Sequence, residues 1–164
     1  MKNTTTWIIV LVIIVGGGLI FMFSDQNKSL ISGEENSVDE KSSSALVVDN
    51  ISYDFGEIDI FGGKVEKDFI LKNEGIDSIV ILAGTTSCGC TDGVIDGVTF
   101  GMHEGMTRQV VIASGESKIL KAIYDPLAHG PNAVGPVTRQ LFLKTNSTET
   151  PELEIRISAD VTKK

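Results

Sequence analysis

Most of this chain after residue 44 consists of short runs of alternating apolar and polar residues, and this pattern most restricts its fold. The runs are rich in Val, Ile, Phe and Tyr, as in Val65–Leu71, Ile119–Tyr124 and Leu153–Val161. Gly, Pro, Asn and Asp interrupt them at intervals of roughly 8–12 residues. No long stretch after residue 24 has the 3.6-residue period of an amphipathic helix. The pattern therefore predicts an all-β sandwich of about seven or eight antiparallel strands over residues 45–164.

The N-terminus has a different composition. Residues 7–23 form an uncharged apolar run, and as a helix this run would span roughly 25 Å, the short end of what crosses a bilayer. No small-residue cleavage pattern follows the run, although a cleaved signal peptide is the alternative. We predict a short stub over residues 1–6, an uncleaved single-pass transmembrane helix over 7–23, and a C-terminal domain outside the cytoplasm at the cell membrane.

Residues 24–44 are predicted to be a disordered acidic linker, because they are rich in Ser, Glu, Asp and Asn and hold few large apolar side chains. The whole chain has a formal net charge of -8. An acidic protein is a poor match for nucleic acid. We therefore expect two partners: the membrane, through residues 7–23, and an unknown protein of the cell envelope.

Cys88 and Cys90 are the only cysteines in the chain, with Gly89 between them. In an extended strand, residues i and i+2 are about 6.6 Å apart, whereas a disulfide needs Cβ atoms near 3.8 Å. A turn at Gly89 would allow a small, strained ring suited to redox exchange. Two thiolates on one soft metal ion would be easier to arrange. The third interpretation is that both cysteines are small core residues.

Two histidines and two methionines lie in the predicted loops that follow. Cys, His and Met are the ligands that select copper(I). If the loops meet at one end of the sandwich, a copper(I) site would form there, and Met106 is a further candidate outside the predicted ligand set. The predicted metal ligands are Cys88, Cys90, Met102, His103 and His129. The alternative is that the methionines fill gaps in the core and the histidines are hydrogen-bonded loop residues.

Several blocks of sequence occur in the order seen in a known family. They are Tyr53–Ile58, Phe69–Asn73 with Gly75, Ser87–Thr91, Ser114–Glu116 and Thr145-Asn146. Over residues 45–162 these blocks resemble the bacterial domain-of-unknown-function family 1573. The resemblance implies an extracytoplasmic immunoglobulin-like domain, and it implies no reaction because that family has no established activity. The stretch between Thr91 and Ser114 is longer and richer in Gly than a compact member would have.

Sequence motifs of common enzymes are missing: there is no G-x-S-x-G, no H-E-x-x-H and no phosphate-binding loop. We therefore expect a protein that is not an enzyme. The leading hypothesis is a membrane-anchored, extracytoplasmic, non-catalytic binding or scaffolding module. The alternatives are soft-metal binding at the predicted copper site and a thiol redox function that needs only Cys88 and Cys90.

Overall fold

A computed structural model describes residues 41–164, and this part of the chain is built from strands without a helix. The predicted stub, the predicted anchor and most of the predicted linker lie outside the described residues. The ten strands are β1 (Leu46–Val48), β2 (Ser52–Asp59), β3 (Val65–Asn73), β4 (Ile79–Thr86), β5 (Thr91–Ile95), β6 (Val98–Phe100), β7 (Val110–Ile112), β8 (Ser117–Tyr124), β9 (Gly135–Thr145) and β10 (Glu152–Thr162). Within residues 41–164 there is no helix long and apolar enough to cross a membrane.

The strands form two five-stranded sheets. One sheet has the order β1-β3-β8-β5-β6 and the other the order β2-β10-β9-β4-β7. Neighbouring strands are antiparallel, except that β2 runs parallel to β10. A parallel pair needs a long connection, and the seven strands between β2 and β10 provide it. The predicted all-β, two-layer architecture is confirmed.

One apolar core lies between the sheets, and alternation along the strands supplies it. In β10, Ile155, Ile157, Ala159 and Val161 are buried, while the alternate residues between them are exposed or half-buried. Burial of each such side chain contributes about 1.5–3 kcal/mol relative to exposure. The largest fully buried side chains come from strands of both sheets, apart from Ile60, which directly follows β2: Phe100, Ile60, Leu71, Ile79, Ile81, Ile95, Ile112, Leu120, Leu141, Leu143, Ile155 and Ile157.

Phe100 packs against glycines from both sheets. Gly84 of β4 lies in one sheet, whereas Gly93 of β5 and Phe100 of β6 lie in the other. A Cβ atom at Gly84 would be 2.7 Å from Cγ of Phe100, and one at Gly93 would overlap the far end of the same ring. Because the ring is fully buried, it has no open space to move into. These glycines are therefore needed for the close approach of backbone and ring.

The structure has more strands than the seven or eight predicted, because β5 and β6 lie in the Gly-rich stretch after Thr91. They form a hairpin whose turn residues, Asp96 and Gly97, have φ values of 51° and 73°. Two positive φ values are typical of a type I′ turn, and Asp-Gly is a preferred pair there. The two strands are only five and three residues long, so their alternation is too short to recognise in a stretch rich in glycine.

The folded part also begins earlier than predicted. Ser42 and Ser44 were assigned to the linker, yet both are buried. The backbone of Ser42 donates to the carbonyl of Asn146 at 3.0 Å and accepts from the amide of Thr148 at 2.8 Å. Polar composition predicted disorder here, but these serines are held by hydrogen bonds to the turn after β9, which composition does not reveal.

The sandwich has two distinct ends. Ser42 lies at one of them, near the start of β4, because Asn146 bonds both Ser42 and Val80. Thr86 ends β4 at the other, about 23 Å away for a strand of this length. The C-terminus lies toward this second end, where the Lys163 ammonium donates to Asn132 at 2.8 Å. We call the first the entry end and the second the cysteine end.

We predict that Gly93→Ala destabilises the protein by at least about 1–3 kcal/mol, because the added methyl group overlaps the buried ring of Phe100. Urea unfolding followed by circular dichroism measures the change. Gly105→Ala is the matched control: nothing lies within 4 Å of its added Cβ atom, so its stability should change by less than about 0.5 kcal/mol. Equal stability of the two variants would contradict this packing.

Candidate functional site

The cysteines lie in the turn where the chain crosses from one sheet to the other. We call residues 87–90 the cysteine turn; it connects β4 to β5. The Ser87 amide donates to the Gln140 carbonyl of β9 at 3.0 Å. The buried Thr86 hydroxyl lies 3.0 Å from the carbonyl of Cys88 and 2.9 Å from that of Thr91, and it can donate to either. These bonds tie both ends of the turn to the sandwich.

Within this turn, Cys88 and Cys90 form a disulfide. Their Cα atoms are 5.2 Å apart, closer than two alternate residues of an extended strand. The chain bends at Gly89, which is the conformation that the sequence left open as an alternative. The Cys90 amide also points back toward Cys88, with 3.1 Å between the nitrogen and Sγ. The pair is therefore the oxidised form of a dithiol.

His129 reaches the disulfide from the loop after β8. The Asp125 amide donates to the Cys90 carbonyl at 2.9 Å, which fixes the start of this loop against the cysteine turn. The loop then turns through Gly130, whose φ of 88° favours glycine. Nε2 of His129 lies 3.0 Å from Sγ of Cys88. Because a disulfide sulfur carries no proton, His129 is the donor in this contact.

Arg139 of β9 reaches the other sulfur. Its Nε donates to Sγ of Cys90 at 3.0 Å, and one terminal nitrogen donates to the Thr138 carbonyl at 2.8 Å. The guanidinium also lies over the ring of Tyr124, 5.9 Å from the centroid. Burial raises the pKa of Tyr124, with Arg139 acting in the opposite direction. The phenol therefore stays neutral at physiological pH, so it does not offset the positive charge that Arg139 places beside the sulfur.

The structure brings together three of the five predicted metal ligands. The ligand atoms of Cys88, Cys90 and His129 all lie within 4.8 Å of one another. His103 is outside this group but close by, because its Cδ2 would be 3.9 Å from a Cβ atom on Gly89. The side chain of Met102 is half exposed, and Met106, the weaker candidate, packs against the core.

The residue that sequence reasoning missed is Arg139. It lies in the middle of an ordinary alternating strand, and nothing near it in the sequence marks it as a partner of a cysteine 49 positions away. Its role depends on the register of β9 beside the cysteine turn, where Gln140 pairs with Ser87. That register is a tertiary feature.

The comparisons with known proteins agree on the class of domain and leave its function open. The family model described as "Protein of unknown function (DUF1573)" matches residues 46–161. This match covers the cysteine turn, both histidines and Arg139. No curated protein matches the sequence significantly.

Several solved structures are similar to this chain at low sequence identity. A protein of unknown function from Porphyromonas gingivalis W83 has a TM-score of 0.59 at 16% identity over 77% of this chain. This chain spans about half of that one, 51%. A PapD-like domain of human CEP192 has a TM-score of 0.47 at 14% identity, covering 76% of this chain and 91% of that domain. The CooA pilin subunit of enterotoxigenic Escherichia coli has a TM-score of 0.45 at 11% identity. The match covers 75% of this chain and 99% of the pilin chain.

We predict that Thr86→Val lowers the free energy of unfolding by about 1–3 kcal/mol, because the one hydroxyl donor shared by the Cys88 and Thr91 carbonyls is lost at nearly constant volume. Urea titration of the oxidised protein measures the loss. Thr99→Val provides the control, since Thr99 is exposed on β6. If both variants were as stable as the parent protein, Thr86 would not hold the cysteine turn.

Proposed function

Because the chain belongs to the DUF1573 family, whose description names no activity, we propose a function from the site itself: an anchored extracytoplasmic module that binds copper(I). The observation that carries the proposal is the group formed by Cys88, Cys90 and His129, with ligand atoms within 4.8 Å of one another. Metal–ligand bonds of about 2.0–2.3 Å from a shared ion would span such a group after small movements. Binding requires the dithiol form, because each thiolate is a ligand.

The charge of the site favours copper(I) over zinc. Thiolate and imidazole ligands suit both ions, and a group of three excludes only the four-ligand structural zinc site. Net charge distinguishes the two ions. Two thiolates around copper(I) leave one net negative charge, which the guanidinium of Arg139 beside Cys90 would offset. The same thiolates around Zn²⁺ would be neutral, and Arg139 would then have no anionic partner there.

We propose that binding occurs without catalytic turnover. Its histidine and its arginine each contact a cysteine sulfur. Metal capture needs only ligands at suitable distances, and this arrangement supplies them. The proposal joins the binding-module hypothesis to the copper alternative, since it assigns a ligand to the module. An unknown protein partner in the cell envelope would deliver or receive the ion.

We expect that the detergent-solubilised full chain, once reduced, binds about one equivalent of Cu(I) in competition with a chromogenic copper chelator. Cys88→Ser with Cys90→Ser should abolish this binding. His129→Ala should weaken it by at least about tenfold, because one of three ligands is lost.

His103→Ala is the matched control for this experiment, since it removes the other histidine of the protein and leaves the three-ligand group intact. Its affinity should equal that of the parent protein. Absence of Cu(I) uptake by the reduced chain would rule out the proposal. An affinity that falls with His103→Ala but not with His129→Ala would show that the ligand set is wrong.

The location of the module is a separate proposal and rests on the uncharged run over residues 7–23. We expect the full chain to remain in the membrane pellet after an alkaline carbonate wash, and deletion of residues 7–23 to release it. Protease added outside spheroplasts should degrade the domain. An intact mass showing that the mature chain starts after residue 23 would instead establish a cleaved signal.

A further inference from the structure

The two sulfurs of the disulfide have different surroundings. Cys88 is partly buried, and His129 contacts it from an exposed position on the loop after β8. Cys90 is only 3% exposed and belongs to the apolar core. Its sulfur accepts from the guanidinium of Arg139. The pair is therefore asymmetric: Cys88 is the less buried cysteine and lies beside an exposed imidazole, whereas Cys90 lies in the core beside a permanent positive charge.

This asymmetry corresponds to the two roles that sulfurs take in thiol–disulfide exchange. The attacked sulfur must be accessible, and the other must leave as a thiolate. A cation beside the leaving sulfur stabilises the thiolate and speeds its departure. Cys88, the less buried of the two, is better placed for the first role, and Cys90 with Arg139 is placed for the second.

We propose that the Cys88–Cys90 disulfide is redox-active and exchanges with a dithiol of a second protein, with Cys88 as the entry sulfur and Cys90 as the leaving sulfur. In the first step a partner thiolate attacks Sγ of Cys88. The new sulfur–sulfur bond joins the partner to Cys88, and the electron pair of the old bond passes to Sγ of Cys90. Arg139 holds the thiolate that results.

In the second step the other partner thiol, after losing its proton, attacks the partner's own sulfur in the mixed disulfide. The electron pair passes to Sγ of Cys88, and His129, 3.0 Å from this atom, lies where it can deliver a proton. The partner dithiol is oxidised to a disulfide by losing two electrons and two protons. The Cys88–Cys90 pair gains the two electrons. Cys88 takes its proton from His129, and the Cys90 thiolate takes one from water when it is protonated, so the exchange balances without another redox reactant.

The exchange stands independently of copper binding, because it uses only the sulfurs, His129 and Arg139. If both proposals hold, they are linked: the oxidised pair has no thiolates to offer a metal, and reduction by a partner opens the site. The following experiments are made with a copper chelator present, so their outcome does not depend on whether the reduced chain binds the metal.

The first experiment tests which sulfur is the entry point. The full chain in detergent, as Cys90→Ser or Cys88→Ser, is treated with oxidised glutathione, and the mixed disulfide is measured by intact mass. Cys90→Ser should be modified at Cys88 at least about tenfold faster than Cys88→Ser is modified at the buried Cys90. In the reduced parent protein, a short pulse of iodoacetamide should label Cys88 before Cys90. Equal rates, or faster labelling of Cys90, would overturn the assignment.

The second experiment tests the role of Arg139 as a positioning residue. The rate at which dithiothreitol reduces the disulfide should fall about tenfold in Arg139→Gln and be partly restored in Arg139→Lys, which keeps the charge. Arg156→Gln is the matched control, because Arg156 pairs with Glu154 on the exposed face of β10, away from the sulfurs. Its reduction rate should not change.

Thermal unfolding of each oxidised variant separates this role from a structural one. A slower reduction with an unchanged melting temperature supports the assignment. Unchanged reduction in Arg139→Gln would overturn it. If Arg139→Gln fails to fold, the comparison of Cys88→Ser with Cys90→Ser and the pulse labelling of the parent protein still decide between entry at Cys88 and entry at Cys90. A disulfide in the parent protein that resists both glutathione and dithiothreitol would overturn the whole proposal.

Discussion

The fit of one buried phenylalanine against two glycines sets how the sheets come together. Phe100 is fully enclosed, with Gly84 from the opposite sheet and Gly93 from its own sheet against its ring. Interiors of proteins are packed too densely to absorb an added methyl group without rearrangement. The contact therefore holds β4 and β5 together across the core. The end of β4 and the start of β5 are the two strand ends that the cysteine turn connects.

The chemistry of the site depends on that connection. A crossing between sheets brings the cysteine turn close to elements of both layers: the loop after β8 from one sheet and the middle of β9 from the other. His129 and Arg139 consequently approach the disulfide from different layers. A turn that joins two strands of one sheet would contact mainly side chains of that sheet. The site is thus a product of sandwich topology, and no single local motif contains it.

The sequence allowed most of the framework to be predicted, because alternation along a strand directly reports which side chains face the core. It allowed Cys88, Cys90 and His129 to be grouped, since loops at one end of a sandwich lie near each other. The short strands β5 and β6 were not predicted, although the Asp96-Gly97 pair was a local signal for their hairpin. Arg139 could not be found, because its proximity to Cys90 depends on strand register. Nor could composition show that Ser42 is buried.

The position of Ser42 matters for handling the protein. The first described residues join the sandwich at the entry end, whereas the sulfurs and the contact between Lys163 and Asn132 lie toward the other end. Coupling the protein to a bead or sensor chip through its N-terminal side leaves the disulfide facing solution. An affinity tag or fluorescent label after Lys164 would sit beside the loop that carries His129, where its bulk would obstruct approach to the sulfurs.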